Sequence, residues 1–197
     1  MAEELRKEQA TILAANAKDV AAAEAKGLAK PMVDRLRLTS YALEGIASAI
    51  EDVVKLPDPV GEVLTDWTRP NGLHLQKVRV PIGVIGIIYE SRPNVTSDAA
   101  VLCFKTGNAT ILRGGSEAIE SNRALAHALQ KGGEQAGLPA DSIQLVPFTD
   151  RESVDHLAKM DQYLDLIIPR GGQSLVERVV SVARMPVLKH YHGVCHV

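Results

Sequence analysis

The sequence predicts an α/β chain: a doubly wound parallel sheet preceded by N-terminal helices and a β-hairpin. Three observations carry that reading. Residues 81–89, Pro-Ile-Gly-Val-Ile-Gly-Ile-Ile-Tyr, form an apolar run broken only by glycine, the mark of a strand buried on both faces. After it come a helix, a second strand at 109–112, a glycine turn and another helix. A strand running into Arg-Gly-Gly and then a helix occurs twice, at Arg113-Gly114-Gly115 and at Arg170-Gly171-Gly172.

Taken in order, residues 2–26 carry Leu5, Ile12, Leu13 and Val20 among alanines and charges, without proline, and end at Gly27: an amphipathic helix with its stop. A linker through Pro31 leads to a second helix at 39–54, with Leu43, Ile46, Ile50 and Val53 at helical spacing. Its acids Glu44, Glu51 and Asp52 read as a solvated face. Residues 63–80 read as two strands around Arg69-Pro70-Asn71-Gly72, where Asn-Gly signals a tight hairpin. The second arm alternates apolar and polar residues, so one face is wet or paired with another chain. Such a hairpin serves either in assembly or as an edge of the same subunit.

The strand at 81–89 discharges into a polar turn carrying Glu90, Arg92 and Asn94, where chemistry is expected. Thr96 or Ser97 is the expected cap of the next helix, Asp98 suits its positive end, and Gly107 its termination. The helix after Ser116 runs to about residue 137, with Gly132-Gly133 expected to fray or bend its end. Residues 143–146 give a third strand, Thr149-x-x-Glu152 has capping-box spacing for a helix to about 160, and 164–168 gives a fourth strand. A helix at 175–183 and a fifth strand at 186–188 follow. The division expected is 1–60 helical segment, 61–80 assembly hairpin and 81–197 nucleotide-binding domain.

Because βαβ crossovers are right-handed, both Arg-Gly-Gly turns fall on the carboxyl edge of the sheet, where open α/β sheets bind ligands. Two cationic, glycine-lined helix N-termini there suit a diphosphate-bearing dinucleotide, in a Rossmann-like unit without the Gly-x-Gly-x-x-Gly spelling. The net charge of −2 and 4% aromatic content give no basis for nucleic acid or an anionic membrane as partner. No apolar run reaches membrane length and the start lacks a signal-peptide core, so a cytoplasmic protein is expected. Cys103 and Cys195 cannot build a disulfide framework. Cys103 lies in an apolar stretch and reads as inert core, and Cys195 as a strand residue. His190 and His192 would share a strand face, but no second ligand cluster stands at metal spacing, so no metal is expected.

These motifs resemble those of the gamma-glutamyl phosphate reductase family, also called glutamate-5-semialdehyde dehydrogenases, within the aldehyde dehydrogenase superfamily. The resemblance rests on Ala15-Asn16-Ala17-Lys18-Asp19-Val20, Asp34-Arg35-Leu36, residues 56–61, residues 80–96 with their motif Tyr89-Glu90-Ser91-Arg92-Pro93-Asn94-Val95-Thr96, residues 105–115 and 168–172, and Gly193-Val194-Cys195-His196. It implies an aldehyde dehydrogenase type of fold and the reduction of L-glutamyl 5-phosphate by NADPH to the semialdehyde, with release of phosphate, in proline biosynthesis. It further implies cofactor contacts from Arg113, Gly114, Gly115, Ser116, Arg170, Gly171 and Gly172, with Arg113 favouring a 2′-phosphate, and substrate proximity for Glu90, Arg92 and Asn94. Asn94 is a candidate oxyanion donor. Lys189 and His190 stand where general aldehyde dehydrogenases place a glutamate base. The family's nucleophilic cysteine belongs to a later domain, so it is expected beyond Val197, and no catalytic residue is expected within this chain. The expectation is an N-terminal, cofactor-binding half that cannot reduce acyl phosphate alone. A homo-oligomer and glutamate 5-kinase are the implied macromolecular partners. The rivals are an acylating dehydrogenase for coenzyme A thioesters, a non-catalytic dinucleotide-binding module, and a hairpin-mediated assembly unit.

Overall fold

The computed structural model describes residues 1–190. Helices α1 (Ala2–Lys7), α2 (Gln9–Ala25), α3 (Lys30–Leu36) and α4 (Ser40–Lys55) come first, followed by an antiparallel pair, β1 (Val63–Thr68) and β2 (His74–Val78). The sheet domain then runs β3 (Val84–Tyr89), α5 (Asn94–Lys105), β4 (Ala109–Arg113), α6 (Ile119–Glu134), β5 (Ile143–Leu145), α7 (Arg151–Leu157), β6 (Leu166–Arg170) and α8 (Gln173–Val182). A single helical turn at Ser116–Ala118 precedes α6.

The four sheet strands are all parallel, in the order β5-β4-β3-β6, so Ile87 lies between Leu112 and Ile168. Side chains alternate across the sheet, and β3 shows what that means for layering. Ile85, Ile87 and Tyr89 enter one core, built with Leu43, Ile46, Val101, Leu125 and Leu129 of α4, α5 and α6. Ile88 enters the other, with Val154, Leu157, Ile167 and Val179 of α7, β6 and α8. Helices thus cover both faces, as a doubly wound sheet requires, and Leu5 and Ile12 bring α1 and α2 into the first core.

Several local expectations need correction. The linker through Pro31 is helix α3: a proline in the first turn sacrifices no hydrogen bond, and Val33 and Leu36 gain burial against Val20 and Ala23 of α2. The first helix is parted at Glu8. Thr96 and Ser97 are not caps but fully buried inside α5, whose N-cap position is Pro93. The capping residue of α7 is Asp150, one position beyond Thr149, accepting from Ser153 N–H at 2.7 Å. Gly132 and Gly133 do not fray α6; a Cβ on Gly132 would stand 2.7 Å from the Met1 nitrogen, so the pair makes room for the chain's start. Residues 186–188 make one parallel bridge, Ile167 to Val187, not a full strand.

The hairpin forms as expected, with Trp67 opposite Leu75 and a turn at Asn71-Gly72. Its alternation suggests one covered face, yet among the described residues both faces are open, leaving Val63, Leu64, Trp67 and Val78 exposed. No helix of the described residues is long and apolar enough to cross a membrane.

Candidate functional site at the carboxyl edge of the sheet

The chain leaves β3 to build β4 and β5 on one side, then returns to place β6 on the other. The connections therefore diverge between β3 and β6, and a crevice opens at their carboxyl ends. The turn after β3 carries Glu90, the turn after β4 is Gly114-Gly115, and the turn after β6 is Gly171-Gly172.

Glu90 sits at the centre. Its Oε2 accepts the Gly172 N–H at 3.1 Å, so a carboxylate already occupies the positive N-terminus of α8. The fit depends on a missing side chain: a Cβ on Gly171 would lie 2.6 Å from the Glu90 carboxyl carbon. Two cavities flank this residue. One, about 660 Å³, is bordered by Arg35, Arg92, Arg170, Lys189, His190 and Glu90 itself. The other, about 960 Å³, is bordered by Arg113, Gly115, Ser116, Glu117 and, across the crevice, Ser174 and Arg178. The two Arg-Gly-Gly turns that look alike in sequence thus send their arginines to different cavities.

Arg113 is buried at the end of β4. Its Nη2 donates to the Thr149 and Asp150 carbonyls at 2.7 and 2.8 Å, and its Nε donates to Ser153 Oγ at 3.4 Å. Burial pulls its pKa down, while Asp150 and Glu117 oppose the shift. Arg113 therefore fixes the start of α7 while lining the larger cavity.

Beneath the first glycine turn lies a polar chain that sequence reasoning missed. Tyr89 Oη pairs with Thr96 Oγ1 at 2.7 Å, and Thr96 Oγ1 donates to Asn122 Oδ1 at 3.0 Å. Asn122 is wholly buried on α6. Its amide nitrogen would lie 2.1 Å from a Cβ on Gly114, so only glycine allows this approach. Burial pushes the Tyr89 phenol up to about 12, against the opposing bond to Thr96.

A second missed device comes from α2. Asp19 Oδ2 accepts the Ser121 N–H at 2.7 Å and its hydroxyl at 2.6 Å, and Oδ1 accepts the Glu120 N–H at 3.2 Å. Asn16 donates to Ser121 Oγ and to the Leu36 carbonyl, and accepts the Leu38 N–H. The first turn of α6, which carries no cap from its own N-cap residue, is thus capped from about a hundred residues away. The signal was present: Asn16 and Asp19 fall on the same helical stripe as Ile12, Val20 and Ala23, where polar residues need partners.

The remaining sequence-chosen residues are distributed as follows. Arg92 borders the smaller cavity. Asn94 opens α5, and its amide donates to Asp98 at 3.0 Å, while burial pushes the Asp98 carboxyl up. Cys103 is buried on α5, and desolvation raises its thiol pKa, the opposite of what a nucleophile needs. Cys195, Val197 and the histidines beyond His190 lie outside the described residues. The nucleophilic cysteine expected beyond Val197 therefore falls outside them too. Among the described residues, no cluster of His, Cys, Asp and Glu could hold a metal ion.

The model of the aldehyde dehydrogenase family matches residues 3–191. The gamma-glutamyl phosphate reductase of Paramagnetospirillum magneticum is 56% identical over 195 residues, 99% of this chain and 46% of that protein. That of Rhodospirillum rubrum is 55% identical over 192 residues, 98% of this chain and 45% of its own length. The crystal structure of gamma-glutamyl phosphate reductase from Thermotoga maritima superposes with a TM-score of 0.93 at 44% identity, covering 95% of this chain and 45% of that one. An acetylating aldehyde dehydrogenase from Geobacillus thermoglucosidasius shares the fold, with a TM-score of 0.69 at 19% identity over 95% of this chain and 38% of its own. The chain spans about half the length of the curated relatives it matches.

Proposed function

Because the chain belongs to the aldehyde dehydrogenase family, we propose that it is the cofactor-binding half of an NADPH-dependent reductase that converts L-glutamyl 5-phosphate to L-glutamate 5-semialdehyde in proline biosynthesis. The observation that carries this is the crevice at the strand divergence, flanked by glycine-lined helix starts on both sides of Glu90. The high identity to gamma-glutamyl phosphate reductases supports the choice of substrate.

NADPH, when bound, supplies the hydride. The residues fit such a group: Gly115 borders the larger cavity and Gly171 the smaller one, and the Gly172 N–H that now holds the Glu90 carboxylate is a donor suited to a phosphate oxygen. Arg113, Gly114, Gly115, Ser116, Gly171 and Gly172 are the cofactor contacts in this reading, with the Arg113 charge favouring a 2′-phosphate. Glu90 and Arg92 stand on the substrate side. Asn94 borders neither cavity and acts through Asp98, which its amide holds at the start of α5. The thiol that breaks the acyl phosphate bond comes from outside the described residues, since Cys103 is shut in the core.

Isothermal titration of this chain with NADPH and NADH, followed by incubation with L-glutamyl 5-phosphate, tests the reading. Binding of NADPH in preference to NADH, without turnover, is the expected result. No binding of either nucleotide would overturn it.

A further inference from the structure

We propose that Arg35, from helix α3 of the N-terminal segment, joins Arg92 and Arg170 in an anion site that receives the phosphate-bearing end of the substrate. The smaller cavity then serves the substrate and the larger one the cofactor. The identity of the substrate rests on the reductase reading above; the anion site does not.

The first support is how this chain uses its guanidinium groups. Arg6, Arg37, Arg79, Arg113, Arg123 and Arg178 each donate to a carboxylate or a carbonyl. The side chains of Arg35, Arg92 and Arg170 make no hydrogen bond or ion pair among the described residues, and all three border the same cavity; Arg69, Arg151 and Arg184 also make none, but they do not border this cavity, and Arg151 lies at the larger one. Unpaired arginines scattered over a convex surface are ordinary. Gathered around one concavity they repel one another, and a bound anion relieves that repulsion.

The second support is the excess of positive charge. Glu90 is the one carboxylate among the described residues lining this cavity, and its Oε2 is held by the Gly172 N–H. Positive charge therefore exceeds negative charge on these walls. The planar guanidinium fork matches phosphate oxygens two at a time, whereas an ammonium offers only a point charge.

The third support is the rest of the wall. Met32, Val95, Ile168 and Leu188 supply an aliphatic surface beside the arginines. That combination suits a short methylene chain ending in phosphate, and it suits a ribose or an adenine ring poorly. Arg170 borders this cavity and not the one that Arg113 borders, which moves it from the cofactor contacts inferred by resemblance to the substrate side. Arg35 and Met32 come from α3, so the N-terminal helices complete the site as well as the core.

The test uses the full chain and its R35Q and R35K variants, with inorganic phosphate as one probe and NADPH as the other. Phosphate binding is followed by phosphorus NMR line width and NADPH binding by calorimetry. R35Q is expected to weaken phosphate binding by about fivefold or more, R35K to recover part of it, and both to leave NADPH affinity within about twofold. Because the Arg35 side chain bonds to none of the described residues, the melting temperature should not move, which separates this from unfolding. Unchanged phosphate binding in R35Q, or no phosphate binding by the unaltered chain, would overturn the proposal. Equal losses of phosphate and NADPH would also overturn it, by assigning the arginines to the cofactor. Should NADPH fail to bind the unaltered chain while R35Q still loses phosphate, the anion site stands and the reductase reading falls.

Discussion

Replacing Asp19 by alanine should destabilise the whole molecule through a helix that Asp19 does not belong to. The carboxylate accepts three hydrogen bonds at the start of α6, from Glu120 N–H, Ser121 N–H and Ser121 Oγ, and is almost fully buried. Loss of a helix cap costs about 1 kcal/mol. Ser121 is itself wholly buried, so its hydroxyl would also be left without an acceptor, a further cost of about 1–3 kcal/mol. The sum, about 2–4 kcal/mol, is a large share of the total stability of an ordinary domain. In a chain of this size each kcal/mol moves the melting temperature by about 2–4 °C, so D19A should melt roughly 5–15 °C lower. D19N, which keeps one acceptor and the side-chain shape, should fall between. Circular dichroism on heating measures this. The Arg113–Ser116 turn leads directly into α6, so NADPH binding by D19A should weaken as well. A drop in melting temperature below about 2 °C would refute the remote cap.

Gly171→Ala puts a methyl group 2.6 Å from the Glu90 carboxyl carbon and 2.8 Å from Leu175 Cδ2, so Glu90 must leave the α8 N-terminus. Overpacking of this kind costs about 1–3 kcal/mol, read as a lower denaturant midpoint, together with weaker NADPH binding by calorimetry. An unchanged midpoint would show that Glu90 is not wedged there. Tyr89 is protonated in the fold with its pKa raised from 10.0 to about 12, so its contribution to stability is fully present below pH 10 and is lost as pH rises through about 12. In difference spectra against Y89F, phenolate absorbance should appear together with loss of circular dichroism; absorbance near pH 10 in a still folded chain would contradict this. In a C195S background, Cys103 should react with a disulfide reagent at least about tenfold more slowly when native than in urea, because burial raises its pKa and shields it. Equal rates would place Cys103 at the surface.

The apolar strand β3, the repeated Arg-Gly-Gly turns and the Asn-Gly hairpin were legible because each follows from local chemistry: a buried strand reads as continuous hydrophobicity, and tight turns demand glycine. Helix α3 was missed because Pro31 looks like a breaker, although the first turn of a helix tolerates it. Thr96 was misread because a hydroxyl near a helix start resembles a cap, whereas its partners are Tyr89 and Asn122, one of them on another helix. The same distance hid the reach of Asp19 to α6. Arg113 and Arg170 share a local spelling, and only the strand order, which places β4 and β6 on opposite sides of β3, separates their destinations. Local rules find elements; partners brought together by topology need the fold.

Trp67 is the chain's single tryptophan, and it sits on the hairpin at 44% exposure, away from both cores and both cavities. Intrinsic fluorescence of this protein is therefore a report on one ribbon. Its emission should already be that of a wet indole in the native chain, should be quenched by acrylamide at nearly the unfolded rate, and should change little when the sheet domain melts. A titration that shifts this emission to the blue would instead signal that something has covered the ribbon, giving a built-in optical probe of contact there that needs no label.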